Sequence, residues 1–412
     1  MILKMEIKRK HILITIFIYI LINSLFYLSV DFLPDESNYL FTTKKMLEGH
    51  APYKDYATDV KPPLNYYFLS IFVYTGTDII QILRLVAVSI NVISSYILFL
   101  IARKLFDKKI AICSAVIFLF IFTMPAMSGY AITGDKLSVM FSLASIFYFV
   151  DADKKNLAIS GIFLGIAALA KQTSLVILGF YFLYYIYLLS RDKKLKNYSS
   201  RFLIIVFFIM VPILIVVLHF LSIGALNEMT TWTTKEVLNL RKDDTWIANP
   251  AKFTYLETIY TFSIFSPVFF LSFIAFVHFL IKFTKGTIIH NELMLVMLTI
   301  PTLYPFILVF RYTTLLLIPL SILSSIALLE FTKSLREKNS PYLKITASLA
   351  IGILFLLSVS LNIYSVYKLH TSFSQHEKDQ DKIIEYLVNN MEKNQRIYVY
   401  GYVPKIYYLS GI

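Results

Sequence analysis

Long apolar runs alternate with short charged segments along most of the chain. The runs that approach membrane-spanning length are Ile12–Val30, Ile79–Ile101, Ile110–Met127, Leu137–Val150, Leu157–Ala170, Ser174–Ser190, Phe202–Ser222, Thr258–Ile281, Leu293–Phe310, Tyr312–Leu329 and Ile345–Val366. A helix needs about 20 such residues to cross a hydrocarbon core of about 30 Å. Two of the boundaries rest on length. Leu157 to Ser190 would be a single helix of about 51 Å, too long for one crossing, so the chain is expected to turn at Lys171-Gln172-Thr173. The stretch from Leu293 to Leu329 has the same excess, and Arg311 marks its turn. The pattern predicts an all-α polytopic membrane protein with about 11 transmembrane helices.

Composition agrees. Of 412 residues, 57% are hydrophobic and only 16% charged, with a mean hydropathy of +0.67; a soluble domain carries about 25% charged residues. Ile12–Val30 is longer than a signal-peptide core and no small-residue cleavage pattern follows it, so a removable leader is not expected. The single cysteine, Cys113, sits inside an apolar run without metal-ligand spacing and reads as a small hydrophobe.

Charge sets the expected orientation. With the N-terminus inside, the inner segments are 1–11, 102–109, 151–156, 191–201, 282–292 and 330–344, holding 21 Lys/Arg and 8 Asp/Glu. The outer positions hold 18 of each, so the whole net charge of +13 falls on one face. That is the positive-inside rule, and it removes the reason to read the basic balance as a nucleic-acid footprint. The sequon-like Asn197-Tyr198-Ser199 then lies inside. The division is a membrane domain over 1–366, with an outer loop at 31–78, and a C-terminal segment over 367–412 on the outer side. In that segment His376–Met391 has a helical apolar pattern and RIYVYGY, Arg396–Tyr402, reads as a strand. Such a short α/β piece cannot hold a core alone. It either packs on the membrane domain or opens a larger α/β domain.

Ionisable residues are scarce inside the runs and gather at their outer ends: Asp31, Asp35, Glu36, Arg84, Asp135, Lys136, Lys171 and Arg311. His219 and His278, near span ends, read as packing or interfacial residues. Ion-coupled transporters instead place such groups near the midplane. Pro34-Asp35-Glu36 predicts a helix start, with acids at the positive end of the dipole. Tyr39, Leu40, Thr43, Met46 and Leu47 continue at helical spacing to Gly49, which predicts an amphipathic helix on the outer surface. Asp35 and Glu36 suit a functional site or a plain helix start equally. Lys61-Pro62-Pro63 suits a fixed cation or a snorkelling lysine. Gly161 and Gly165 have the spacing of close helix packing. The outer segment Ile223–Glu257, with Trp232, Trp246 and the run Arg241–Asp244, fits either a lid or an aromatic interface anchor.

At these residues the chain resembles a family. Asp35-Glu36, Gly49 with Pro52-Tyr53, and Lys61-Pro62-Pro63-Leu64 look like the first outer loop of the GT-C glycosyltransferases. Within them the resemblance is to the aminoarabinose transferases and protein O-mannosyltransferases, which use polyprenyl-phosphate sugars. Arg84-Leu85, Gly134-Asp135 and GIFLGIAALAKQTSL from Gly161 continue the order. FRYTTLLLIP, Phe310–Pro319, resembles the late arginine–tyrosine segment, with a threonine pair after Tyr312 and no histidine. RIYVYGYVPKIYYLSG resembles the start of the outer C-terminal domain.

The resemblance implies a GT-C-like fold and an inverting transfer of sugar from a polyprenyl-phosphate carrier to an acceptor lipid, glycan or protein. By family position Asp35 is the catalytic carboxylate. Lys61, Arg84, Lys171 and Arg311 are the candidate phosphate ligands, and Glu36, Tyr53, Asp135, Lys136 and Tyr312 the further substrate-binding candidates. No cofactor is expected: two acids do not make a metal site, and phosphate-sugar users of the family generally need none. The expected place is the plasma (inner) membrane with the active site outside. A lipid-linked sugar flippase would need a polar path through the spans, and a non-catalytic assembly factor would leave the span-end cations without a role.

The orientation is testable. Cysteines placed at Lys194 and Thr58 in a Cys113→Ala background should differ in labelling by an impermeant thiol reagent, with Thr58 labelled in sealed cells. Equal labelling sinks the topology.

Overall fold

The computed structural model describes residues 34–55, 61–74, 79–124, 127–151, 153–192, 195–236, 255–308, 314–337 and 382–390. Nine of the eleven apolar runs coincide with helices. Ile12–Val30 and Ile345–Val366 lie outside the described residues, as does the expected strand at Arg396–Tyr402. Residues 382–390 are helical, within the pattern expected over His376–Met391.

Two short helices come first, α1 (Pro34–Leu47) and α2 (Leu64–Val73). The bundle follows: α3 (Ile79–Leu105), α4 (Lys108–Phe122), α5 (Gly134–Asp151), α6 (Lys154–Ala170), α7 (Val176–Asp192) and α8 (Leu195–Ser222). After the short α9 (Leu226–Thr230) come α10 (Tyr255–Thr284), α11 (His290–Leu308) and α12 (Leu317–Glu337). Among the described residues, five helical stretches are long and apolar enough to cross a membrane by length and composition. The expected turn at Lys171 is present: α6 ends there in extended backbone, and one 3-10 turn, Gln172–Leu175, leads into α7.

Tight turns at one end fix the up-and-down order. Asp107 caps α4 by accepting from the Lys109 and Ile110 amides at 2.7 and 2.9 Å, and Asp153 caps α6 through Asn156 N at 2.8 Å. Each satisfies N–H groups that a helix start leaves open. Lys104 at the end of α3 reaches Asp151 at the end of α5, 2.6 Å away, and Lys282 reaches Glu292 across the α10–α11 turn, also at 2.6 Å. These pairs gather at the end opposite α1, so Asp35, Arg84, Asp135 and Lys171 all come to the other end.

The glycines of α6 do what their spacing suggests. A Cβ on Gly161 would lie 2.5 Å from the Ile205 carbonyl, and one on Gly165 would collide with the Ile209 carbonyl and the Pro212 ring of α8. The two backbones therefore meet directly, as small-residue packing permits. Ser145, Ser160 and Tyr181 tie α5, α6 and α7 in a buried hydroxyl network, with the Ser145 and Tyr181 oxygens 2.6 Å apart and Phe149 stacked on Tyr181. Such bonds hold helices together where apolar surface alone gives no preference for protein over lipid.

Gly165→Leu should lower stability in detergent by about 1–3 kcal/mol, the usual cost of overpacking, seen as an earlier melting transition. Ile215→Leu, at a position of α8 that is 64% exposed, should leave that transition in place.

Candidate active site at the α1 end of the bundle

The α1 helix starts at Pro34, whose fixed φ suits a first turn, with Asp35 and Glu36 at its positive end and Lys44 and Lys45 at its negative end. It closes at Gly49, at φ +93°, where the Gly49 amide donates to the Met46 carbonyl and the His50 amide to the Lys45 carbonyl. The expected position on the outer surface needs correction. Glu36, Ser37, Asn38, Tyr39, Leu40, Thr42 and Thr43 are all buried, so α1 is sunk among its neighbours rather than laid across them. Its burial on more than one face follows from polar partners that a hydrophobic-face reading does not count.

Chief among these is Arg84. Its guanidinium grips Glu36 with two bonds, Nη1–Oε1 at 2.8 Å and Nη2–Oε2 at 2.9 Å. Both side chains are essentially sealed from solvent. Arg84 also donates to the Tyr130 carbonyl at 3.0 Å, and Glu36 accepts from the Ile132 amide at 3.2 Å. One ion pair thus joins the first turn of α1, the start of α3 and the loop before α5.

On the next residue the carboxylate points elsewhere. Asp35 is 48% exposed and accepts from Lys61 Nζ at 2.6 Å. Lys61 is held from behind: Tyr53, buried and at φ +69°, donates its hydroxyl to the Lys61 carbonyl at 2.7 Å. A bulky residue in the left-handed region is unusual. Here it seats the ring edge-on to Phe220, and the Lys61 ammonium lies 4.9 Å from the Tyr39 ring centroid.

The second carboxylate stands at the start of α5. Asp135 accepts from Lys171 Nζ at 2.5 Å and from Thr314 Oγ1 at 3.1 Å. Desolvation raises the Asp135 pKa, but the charges of Lys171 and Lys61 and the two hydrogen bonds more than offset it and leave the group below its usual value. Asp35, Lys61, Asp135 and Lys171 therefore form one run of alternating charge.

Small contacts set that spacing. Asn65 of α2 donates to the Ala170 carbonyl at 3.1 Å, satisfying a C-terminal acceptor of α6 next to Lys171. A Cβ on Gly134 would lie 2.8 Å from the same carbonyl and 3.0 Å from Asn65 Nδ2, so only glycine lets the start of α5 approach so closely. Ser174 bonds back to the Lys171 carbonyl and across to Ser138 of α5 at 2.6 Å. Gln172 donates to the Thr233 carbonyl at 2.9 Å and draws the segment after α9 to the same rim. Trp232 packs there against the cluster containing Tyr39, Tyr53 and Tyr66.

The sequence candidates thus divide. Asp35, Lys61, Asp135 and Lys171 come together at one exposed end. Glu36 and Arg84 lie beneath them, closed on each other, and Tyr53 reaches the cluster through a backbone carbonyl. Lys136 is fully buried, its ammonium against the Phe122 carbonyl and 3.5 Å from the Phe122 ring, where it ties the end of α4 to α5. Arg311, Tyr312, Trp246 and the Arg241–Asp244 run lie outside the described residues. Thr314, two residues beyond Tyr312, brings that motif to Asp135. Sequence reasoning missed Thr314 and Asn65. The threonine pair was visible as a departure from the family pattern, and Asn65 as the one amide in an aromatic run.

Residues 60–219 match the family described as dolichyl-phosphate-mannose-protein mannosyltransferase. The fold matches ArnT from Cupriavidus metallidurans bound to undecaprenyl phosphate, with a TM-score of 0.66 at 14% identity over 97% of this chain and 84% of that one. It also matches the Archaeoglobus fulgidus oligosaccharyltransferase tethered with an acceptor peptide, with a TM-score of 0.61 at 13% identity over 95% of this chain. The oligosaccharyltransferase AglB from the same organism, in complex with an inhibitory peptide and a dolichol-phosphate, gives a TM-score of 0.60 at 13% identity. The chain spans about 60% of the length of these oligosaccharyltransferases. No curated protein matches by sequence. The fold is that of the GT-C membrane glycosyltransferases. The resemblance read from the ordered motifs is borne out, and the family match covers the segment that carries Lys61, Arg84, Asp135 and Lys171.

Breaking the sealed pair has a signed outcome. Glu36→Gln or Arg84→Met alone should destabilise the protein by about 3–5 kcal/mol, because the remaining charge is buried without its partner. The double replacement Glu36→Gln/Arg84→Met should recover much of that loss in a detergent melting assay. Additive losses would mean that the two side chains do not act as a pair.

Proposed function

We propose that the chain is an inverting glycosyltransferase that moves a sugar from a polyprenyl-phosphate carrier to an acceptor hydroxyl at the end of the bundle bearing Asp35, on the outer face of the membrane. The observation that carries the reading is the alternation of two carboxylates with two lysines at that end, beside the rim where α1, α5, α6 and Thr314 converge.

The chemistry needs both signs of charge. The acceptor oxygen attacks the anomeric carbon from the face opposite the phosphate, and its new C–O bond forms as the anomeric carbon–phosphate oxygen bond breaks. The electron pair leaves with the lipid phosphate, whose growing charge falls to Lys61 and, by family position, Arg311. The acceptor proton goes to Asp35, the carboxylate with open solvent access. Lys171 and Asp135, tied to Thr314, form the fixed wall against which donor and acceptor are oriented. Glu36, Arg84, Tyr53 and Lys136 act from below as positioning residues. The GT-C fold and the carrier lipids named with its relatives support a lipid-linked donor. The steps above use only the protein's own charges.

Asp35→Asn should abolish transfer from a polyprenyl-phosphate sugar while leaving a folded, lipid-binding protein, since loss of general-base help costs roughly 10²–10⁴-fold in rate. Lys61→Ala and Arg311→Ala should lower transfer and also weaken binding of the lipid phosphate. Wild-type transfer by Asp35→Asn would reduce Asp35 to a helix-start residue.

A further inference from the structure

The two ion pairs of the cluster differ in how easily each can open. Lys171 is 10% exposed, and its partner Asp135 is held a second time by Thr314. Lys61 is 23% exposed and Asp35 48%. The backbone of Lys61 is pinned by Tyr53, so any change there is a swing of its side chain, with the Tyr39 ring beside it as a second resting place. A lysine is a point charge on a flexible stem and re-aims readily, unlike the guanidinium fork of Arg84.

The pairing has a consequence for the proposed reaction, on whose reading of Asp35 and Lys61 it rests. The Lys61 ammonium lies 2.6 Å from Asp35 Oδ2, so it occupies one of the two carboxylate oxygens that could accept from a neighbouring hydroxyl. The donor's phosphate is a second anion that needs the same ammonium. We infer that Asp35 and the lipid phosphate compete for Lys61, so that arrival of the phosphate is the event that frees the Asp35 carboxylate for the acceptor. The base stays paired with Lys61 until a donor is seated. Asp135 remains with Lys171 and Thr314 throughout and keeps the wall of the site fixed.

The competition predicts a gain where a conventional loss-of-contact account predicts none. Purified full-length protein in nanodiscs is titrated with undecaprenyl phosphate. Asp35→Asn and Asp35→Ser should each bind it roughly 3- to 10-fold more tightly than wild type, as the partly exposed carboxylate that holds the Lys61 ammonium is removed. In a Lys61→Gln background the Asp35→Asn change should shift affinity less than 2-fold, which makes the pair a double-mutant cycle. Unchanged or weaker binding by both Asp35 variants overturns the inference, as does an equal gain in the Lys61→Gln background. These outcomes concern affinity alone. Active sugar transfer by Asp35→Asn would instead remove the reading of Asp35 as base, so the two failures are told apart.

Discussion

Charge cannot be left alone at the end of an apolar bundle, and the Glu36–Arg84 pair is where this chain meets that constraint most completely. Two ions removed from water lose solvation worth several kcal/mol each, and only a close, multiply bonded geometry offsets it. The offset here is assembled from three separate pieces of chain: the first turn of α1, the start of α3 and the carbonyl and amide of the loop before α5. Because the pair is favourable only when all three are in place, it acts as a registration device. It fixes the rotation of α1 about its axis, and that rotation turns Asp35, one residue earlier, toward solvent and Lys61.

The same constraint explains the composition of the layer above. Asp35, Lys61, Asp135 and Lys171 alternate in sign, so the cluster is close to neutral as it stands. Neutrality lets it sit at the mouth of the bundle without drawing the helices apart. On the proposed reaction it also makes the site responsive, since an incoming phosphate must displace a carboxylate rather than fill a vacant positive hole. The Asp35–Lys61 pair lies where the side chains are more accessible, and the Asp135–Lys171 pair where a threonine and two buried serines hold the backbone. Exposure and restraint are thus divided between two carboxylates by their neighbours, not by their own chemistry.

Much of this was legible in the sequence because helices in a bilayer obey strong rules. Span length placed nine helices and the turn at Lys171, and the Gly161/Gly165 spacing marked the α6–α8 contact. What escaped were interactions whose partners lie far apart in the chain. The buried face of α1 depends on Arg84, 48 residues beyond Glu36, and no local periodicity reports it. Asn65 matters only because the Ala170 carbonyl arrives 105 residues later, and Thr314 only because α12 begins beside α5. Lys136, a substrate-binding candidate in the sequence, is buried, as its aliphatic stem and a helix-end carbonyl allow.

The order of functional residues along the chain follows from the up-and-down path. Every second connection of the bundle returns to the α1 end, so residues from positions 35 to 314 can meet although no two of the principal pairs are neighbours in sequence. Such a site is built from helix starts and helix ends, which are the points where a membrane helix must already expose unsatisfied amides or carbonyls. Asn65 at the end of α6 and the Ile132 amide at Glu36 show those backbone groups recruited into the scaffold of the site. The polar chemistry is therefore concentrated where the backbone already demands polar partners, and the apolar interior of the helices is left to hold them at fixed separation.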